Sequence, residues 1–259
     1  KRMPVLGLGT YKMQPGGETE NAIKWALEAG YKLIDTAAYY GNENSVGKAV
    51  NSSLIRREEV FITSKLWNTD HAFVEKAYEK SQQQLNCGYI DLYLMHWPVE
   101  KVRVQTWKRM EKLLEGWKVK SIGVANFMVT HLDELLESAE IVPTVNQVEF
   151  SPYNYNKELL EYCKRSKIQL QAYSPLTRAS KLNDVKLVEL AAKYSKTPGQ
   201  ILLRWCIQHD VAIIPKSVHK ERIIENSLVF DFGISLKDMA IMDGWNEGFR
   251  VAPDPNQYR

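Results

Sequence analysis

Eight short apolar runs, each followed by a longer amphipathic stretch, predict a (β/α)8 TIM barrel with additional C-terminal helices. The runs are near-continuously hydrophobic rather than alternating, which is how strands buried on both faces read. A chain of 259 residues, 44% apolar and 25% charged, is long and apolar enough for one sizeable core. The expectation is a single domain over residues 1–259. A doubly wound open sheet is the alternative. Against it, Gly7-Leu8-Gly9 continues as Thr10-Tyr11-Lys12 and lacks the third glycine of a dinucleotide fingerprint.

In chain order, the predicted strands are 5–8, 32–36, 60–66, 89–96, 119–126, 144–150, 168–174 and 211–217. Helices are predicted over 18–29, 44–54, 70–85, 104–115, 130–138, 157–166, 184–194, 199–208, 221–228 and 236–245. The first helix carries Ala22, Trp25, Ala26 and Ala29 on one stripe. It stops at Gly30, a C′ residue free to turn left-handed. Pro198 opens the 199–208 helix, where its missing N–H would have had no intrahelical partner. Eight units of about 25–35 residues each fill the chain.

Composition excludes several classes. A net charge of +3, spread along the chain, is no nucleic-acid footprint. Cys87, Cys163 and Cys206 stand far apart, without CxxC spacing or a nearby His, so neither a disulfide framework nor a metal site is expected. No apolar run approaches the roughly 20 residues that span a bilayer. Lys1-Arg2-Met3-Pro4-Val5 shows no h-region or cleavage site, so the expected location is the cytoplasm.

In a barrel, catalytic groups sit at the C-terminal ends of the strands. Those ends carry Asp35, Lys65, His96, Asn126, Gln147, Tyr173 and Lys216-Ser217. Asp35 and Lys65 both terminate apolar runs, and charges near a core need partners. They read either as a structural ion pair or as a pair that tunes Tyr40, five residues past Asp35. An ammonium beside a phenol favours the phenolate and brings it toward acid–base work at neutral pH. His96, before Trp97-Pro98, reads either as a core histidine or as a neutral N–H that polarises a carbonyl. Tyr11, Trp67 and Trp97 follow strand ends and either pack in the core or wall an apolar substrate pocket.

Motifs along practically the whole chain carry a family resemblance. They are Gly7-Leu8-Gly9-Thr10, Asp35-Thr36-Ala37 with Tyr40-Gly41-Asn42-Glu43, Ile62-Thr63-Ser64-Lys65 and Leu94-Met95-His96-Trp97-Pro98. Gly123-Val124-Ala125-Asn126-Phe127, Asn146-Gln147, Ser174-Pro175-Leu176 and Ile214-Pro215-Lys216-Ser217 through Arg222 and Glu225-Asn226 follow in order. Together they resemble the aldo-keto reductases.

The resemblance implies NADPH-dependent reduction of aldehydes and ketones, with NADPH/NADP+ as cofactor. It makes Tyr40 the proton donor, tuned by Lys65 and Asp35, with His96 orienting the carbonyl. Asn126 and Gln147 would take the nicotinamide carboxamide, and Tyr173 would stack on the ring. Gly9, Thr10, Ser174 and Leu176 would line the cofactor's path, with Lys216, Ser217, Val218 and Arg222 on the 2′-phosphate and Glu225 and Asn226 near the adenine. Tyr11, Trp67 and Trp97 would touch substrate, and no metal is implied. The expected partner is a small carbonyl molecule acted on by a monomer. Two departures stand out: Ala125 replaces the serine common before the carboxamide-binding Asn, and the loops after Pro98 and Leu176 are short. A regulatory protein on this fold and an unrelated barrel hydrolase are the rivals. The complete Tyr–Lys–Asp–His set speaks against the first, and the lack of paired metal ligands or a nucleophile elbow against the second.

Overall fold

The computed structural model describes residues 2–258; Lys1 and Arg259, the ends of the expected domain, lie outside the described residues. Its strands are β1 (Gly7–Gly9), β2 (Leu33–Asp35), β3 (Phe61–Leu66), β4 (Leu92–Met95), β5 (Ile122–Ala125), β6 (Val145–Glu149), β7 (Gln169–Tyr173) and β8 (Ala212–Ile213). All pair in parallel with their sequence neighbours, in the order β1 to β8. A parallel bridge from Leu6 to Ile213 and a hydrogen bond from Gly9 N to Pro215 O, 3.1 Å, close the barrel. That closure needs Gly9, because a Cβ there would lie 2.8 Å from the Ile214 carbonyl.

The helices are α1 (Gly17–Glu28), α2 (Glu43–Asn51), α3 (Val74–Leu85), α4 (Arg103–Glu115), α5 (Val129–Leu136), α6 (Lys157–Arg165), α7 (Val185–Lys193), α8 (Pro198–Gln208), α9 (Lys220–Ser227) and α10 (Leu236–Asp243). They pack on the outer face of the sheet over one large apolar cluster. Gly30 takes φ 90° as the expected helix stop, and Pro198 opens α8 beside a Thr197–Gln200 capping box.

Most strands are trimmed or shifted at their ends, and two predicted elements differ most. The 211–217 strand shrinks to Ala212–Ile213, because Pro215 has no N–H to offer a ladder and the chain turns out toward the barrel mouth. The 70–85 helix splits into a 3-10 turn, Asn68–Phe73, and α3, because Phe73 sits at φ −138°, ψ 42°, outside helical space.

A second cluster of Leu33, Phe61, Leu92, Leu94, Ala125, Val145 and Ile214 fills the barrel interior. The two-residue strand period then decides what lies above it. Leu33 inside puts Asp35 inside, Phe61 puts Lys65 inside, Leu94 puts His96 inside, and Val145 puts Gln147 inside. The polar strand ends are the top layer of the barrel core.

Candidate active site

A cavity of about 850 Å³ opens over this layer. Beneath it lies Lys65, fully buried, with three acceptors for its three ammonium protons. Its Nζ donates to Asp35 Oδ1 at 2.6 Å, to the Thr36 carbonyl at 2.9 Å and to the Tyr40 hydroxyl at 3.2 Å.

Tyr40 reaches that point because the loop after β2 is stapled. A 3-10 turn over Ala38–Tyr40 ends at Gly41, φ 68°, which favours glycine. Asn42 donates to the carbonyls of Thr10 (2.9 Å) and Met13 (3.2 Å) and accepts from Thr36 Oγ1 (2.8 Å). Glu43 accepts from Ser64 Oγ at 2.6 Å. The Asn42-Glu43 part of the motif therefore holds the loop rather than facing the cavity.

Burial dominates the electrostatics. It pushes the Tyr40 phenol well above its ordinary range, and the Asp35 carboxylate pushes it further. The expected lowering of the phenol by Lys65 is thus corrected for the site at rest: desolvation outweighs it, and Asp35 offsets the ammonium. Burial also lowers Lys65 and raises Asp35, each opposed by the other's charge. His96 is held well below its usual value, first by burial and then by Lys65, so its imidazole is neutral.

The His96 ring stands edge-on to Tyr40 (5.7 Å between centroids) and to Trp67 (5.1 Å). Its Nδ1 is buried without a partner. A buried orphan lone pair is tolerated better than a buried orphan N–H, so the neutral proton belongs on Nε2.

Asn126, at φ 64°, donates from Nδ2 to the His96 carbonyl (2.9 Å) and accepts the Tyr173 hydroxyl on Oδ1 (2.8 Å). Gln147 donates to Asp35 Oδ2 (2.7 Å) and Gln171 Oε1 (2.8 Å). At the other end, Lys216, Ser217, Val218, Arg222, Glu225 and Asn226 line the same cavity, as do Gly9, Ser174 and Leu176 along its length. Among the described residues neither Lys216 nor Arg222 has an ion-pair partner, which leaves two cations for an anionic ligand. Thr10 is the exception: it is fully buried beneath the cavity, donating to the Asp35 carbonyl at 3.0 Å.

Tyr11, Trp67 and Trp97 all line the mouth, and Trp97 stacks on Tyr258, 5.2 Å between centroids. Sequence reading missed Tyr39, Arg178 and the C-terminal residues Ala252, Pro253 and Tyr258, which also line it. Tyr39 stacks on Trp67 at 3.8 Å, and its place beside Tyr40 was the one available signal. The C-terminal residues carry none, since only the folded path of the tail brings them over the mouth.

Residues 5–247 match the model of the Aldo/keto reductase family. The chain belongs to the aldo/keto reductase family. It is 47% identical over 257 residues to glyoxal reductase of Bacillus subtilis (strain 168), covering 98% of this chain and 93% of that protein. Among solved structures, the aldo-keto reductase MGS-M4 from a Medee basin deep-sea metagenome library superposes with a TM-score of 0.95 at 43% identity, covering 98% of this chain and 95% of that one. The Bombyx mori aldo-keto reductase in complex with NADP gives 0.91 at 35% identity, covering 98% and 92%.

As an aldo/keto reductase the chain keeps its departure at Ala125, whose methyl packs in the interior cluster instead of offering a hydroxyl. Among the described residues no helix is long and apolar enough to cross a membrane, and no three His, Cys, Asp or Glu side chains are grouped to hold a metal.

Proposed function

We propose that this chain reduces aldehydes and ketones to alcohols with NADPH, Tyr40 giving the proton. One observation carries the reading: a single buried ammonium joins Asp35 to the Tyr40 hydroxyl beneath the cavity that Asp35, Tyr40 and His96 line. The residues present suit the cofactor. Unpaired cations at Lys216 and Arg222 suit a 2′-phosphate, and the amides of Asn126 and Gln147 suit a carboxamide at the other end. NADPH, when bound, supplies the hydride.

The protein's own part is polarity and proton transfer. His96, neutral, offers an N–H from Nε2 to the carbonyl oxygen and holds it near Tyr40. Tyr40, protonated at rest, gives its proton to that oxygen as negative charge grows there. Lys65 then stabilises the phenolate left behind from a distance already set. Tyr11, Tyr39, Trp67 and Trp97 wall the site and exclude water.

The glyoxal reductase relative supports short carbonyl compounds as substrates. Its three cysteines are buried free thiols, in keeping with a reducing cytoplasm. The test is NADPH oxidation across a panel of glyoxals, aliphatic and aromatic aldehydes. Acceleration by short carbonyls is expected, and a panel in which none accelerates NADPH loss refutes the reading.

A further inference from the structure

Asp35 sets the direction of a buried hydrogen-bond chain that reaches Gln171 on β7. Its Oδ1 takes Lys65, which leaves Oδ2 for the amide of Gln147 at 2.7 Å. A carboxylate only accepts, so the Gln147 atom facing it is Nε2. The second N–H of that nitrogen goes to Oε1 of Gln171 at 2.8 Å. Gln171 is fully buried and stands opposite Gln147 in the β6–β7 register.

With both N–H groups committed, Oε1 is the amide atom that Gln147 has left for the cavity it lines. Asn126 is turned the same way. Its Nδ2 is spent on the His96 carbonyl, while Oδ1, already accepting from Tyr173, keeps a second lone pair. This end of the cavity therefore offers acceptors. A carboxamide brings two N–H donors to it; a carboxylate brings none and adds a negative charge.

We propose that Gln171 is a positioning residue that locks the Gln147 amide with its oxygen toward the cavity, so that the site selects an uncharged carboxamide over a carboxylate. The inference rests on the NADPH reading and adds to it a residue beneath the site and a selectivity. Without Gln171, one N–H of Gln147 is buried and unpaired, and the amide turns to satisfy it.

The test compares three probes by calorimetry: NADP+, its acid analogue with nicotinate in place of nicotinamide, and adenosine 2′,5′-bisphosphate, which has no nicotinamide. Wild-type protein should prefer NADP+ to the acid analogue by at least about tenfold, as sites that pair a ligand's N–H groups do. Gln171→Leu should lose about tenfold of that preference, the scale of one buried unpaired donor, while the bisphosphate binds as before. Gln171→Glu keeps an acceptor oxygen at the same place and should keep the preference. Gln171→Met repeats the test should the leucine variant not fold.

A preference unchanged in Gln171→Leu or Gln171→Met overturns the proposal, as does a parallel loss of all three probes, which marks a structural role. Equal binding of NADP+ and its acid analogue by wild-type protein overturns it too. NADP+ binding no tighter than the bisphosphate in wild-type protein overturns the NADPH reading itself, and this inference with it.

Discussion

The buried Nζ of Lys65 donates to the hydroxyl of half-buried Tyr40 at 3.2 Å, so the charge that stabilises a phenolate is in place before any proton moves. At rest the phenol stays protonated, because burial raises it and Asp35 neutralises Lys65. Such a centre is poised as an acid, ready to give its proton to a carbonyl oxygen.

Tyr40→Phe should keep NADPH binding and lose at least about a hundredfold in carbonyl reduction, the usual scale of general-acid catalysis. Tyr39→Phe keeps the ring that stacks on Trp67 and should turn over close to wild type. Because Tyr40 is raised and His96 is lowered, reduction should be flat through neutral pH. It should fall only as alkali ionises the phenol. Steady-state NADPH oxidation measures all three, and a Tyr40→Phe enzyme at full rate removes Tyr40 from the mechanism.

Lys65→Met removes one partner of a buried pair and leaves Asp35 uncompensated. Loss of a partner from such pairs destabilises by about 3–5 kcal/mol. The double variant Asp35→Asn with Lys65→Met should recover much of that stability in a denaturant melt. Turnover should stay low in both, since neither holds a cation at the phenol. Recovery of turnover along with stability would make the pair structural only.

Arg222→Ala should erode the preference for NADPH over NADH while leaving NADH affinity nearly unchanged. The wild-type preference is expected at about 2–4 kcal/mol, one or two charge-assisted hydrogen bonds to the 2′-phosphate. Fluorescence titration of both cofactors decides it, and equal dissociation constants in wild-type protein contradict the assignment.

His71 gives a pH dependence of stability. Thr106 Oγ1 spends its proton on the Val102 carbonyl, 2.9 Å, so it accepts from His71 Nδ1 at 2.8 Å. His71 Nε2 is then a buried bare nitrogen without a partner. Protonating it has no acceptor waiting, and burial lowers the imidazole from 6.5 to about 4. The unfolded chain binds this proton first, so the stability contributed is full above pH 6.5 and is lost as pH falls toward about 4. Wild-type melting temperature should fall over that window more steeply than that of His71→Gln. Identical slopes would remove His71 as a source.

Much of this protein was legible in one dimension. The apolar runs announced eight strands because a strand buried on both faces has to be hydrophobic along its length. Their polar last residues announced the site, since every strand of a parallel barrel ends at the same mouth. Lys65, Asp35 and His96 were readable for that reason, although up to 61 positions separate Asp35 from His96, and Tyr40 was readable from its place five residues past Asp35.

Three things were decided only by the fold. The direction of each buried amide follows from its partners: Gln147 is set by Asp35 and Gln171, residues 112 and 24 positions away, and no local pattern encodes a rotamer fixed at such range. The resting state of Tyr40 is a balance between burial and two opposite charges, and burial is a property of packing rather than of sequence spacing. The mouth is finished by the tail. Two backbone N–H groups, of Val251 and Ala252, bond the Glu149 carboxylate at 2.7 and 3.0 Å and bring Ala252, Pro253 and Tyr258 over the cavity. Backbone N–H groups are common to nearly every residue, so the sequence determined that the site exists and what chemistry it holds, while the tertiary path of the chain decided which atoms face the ligand.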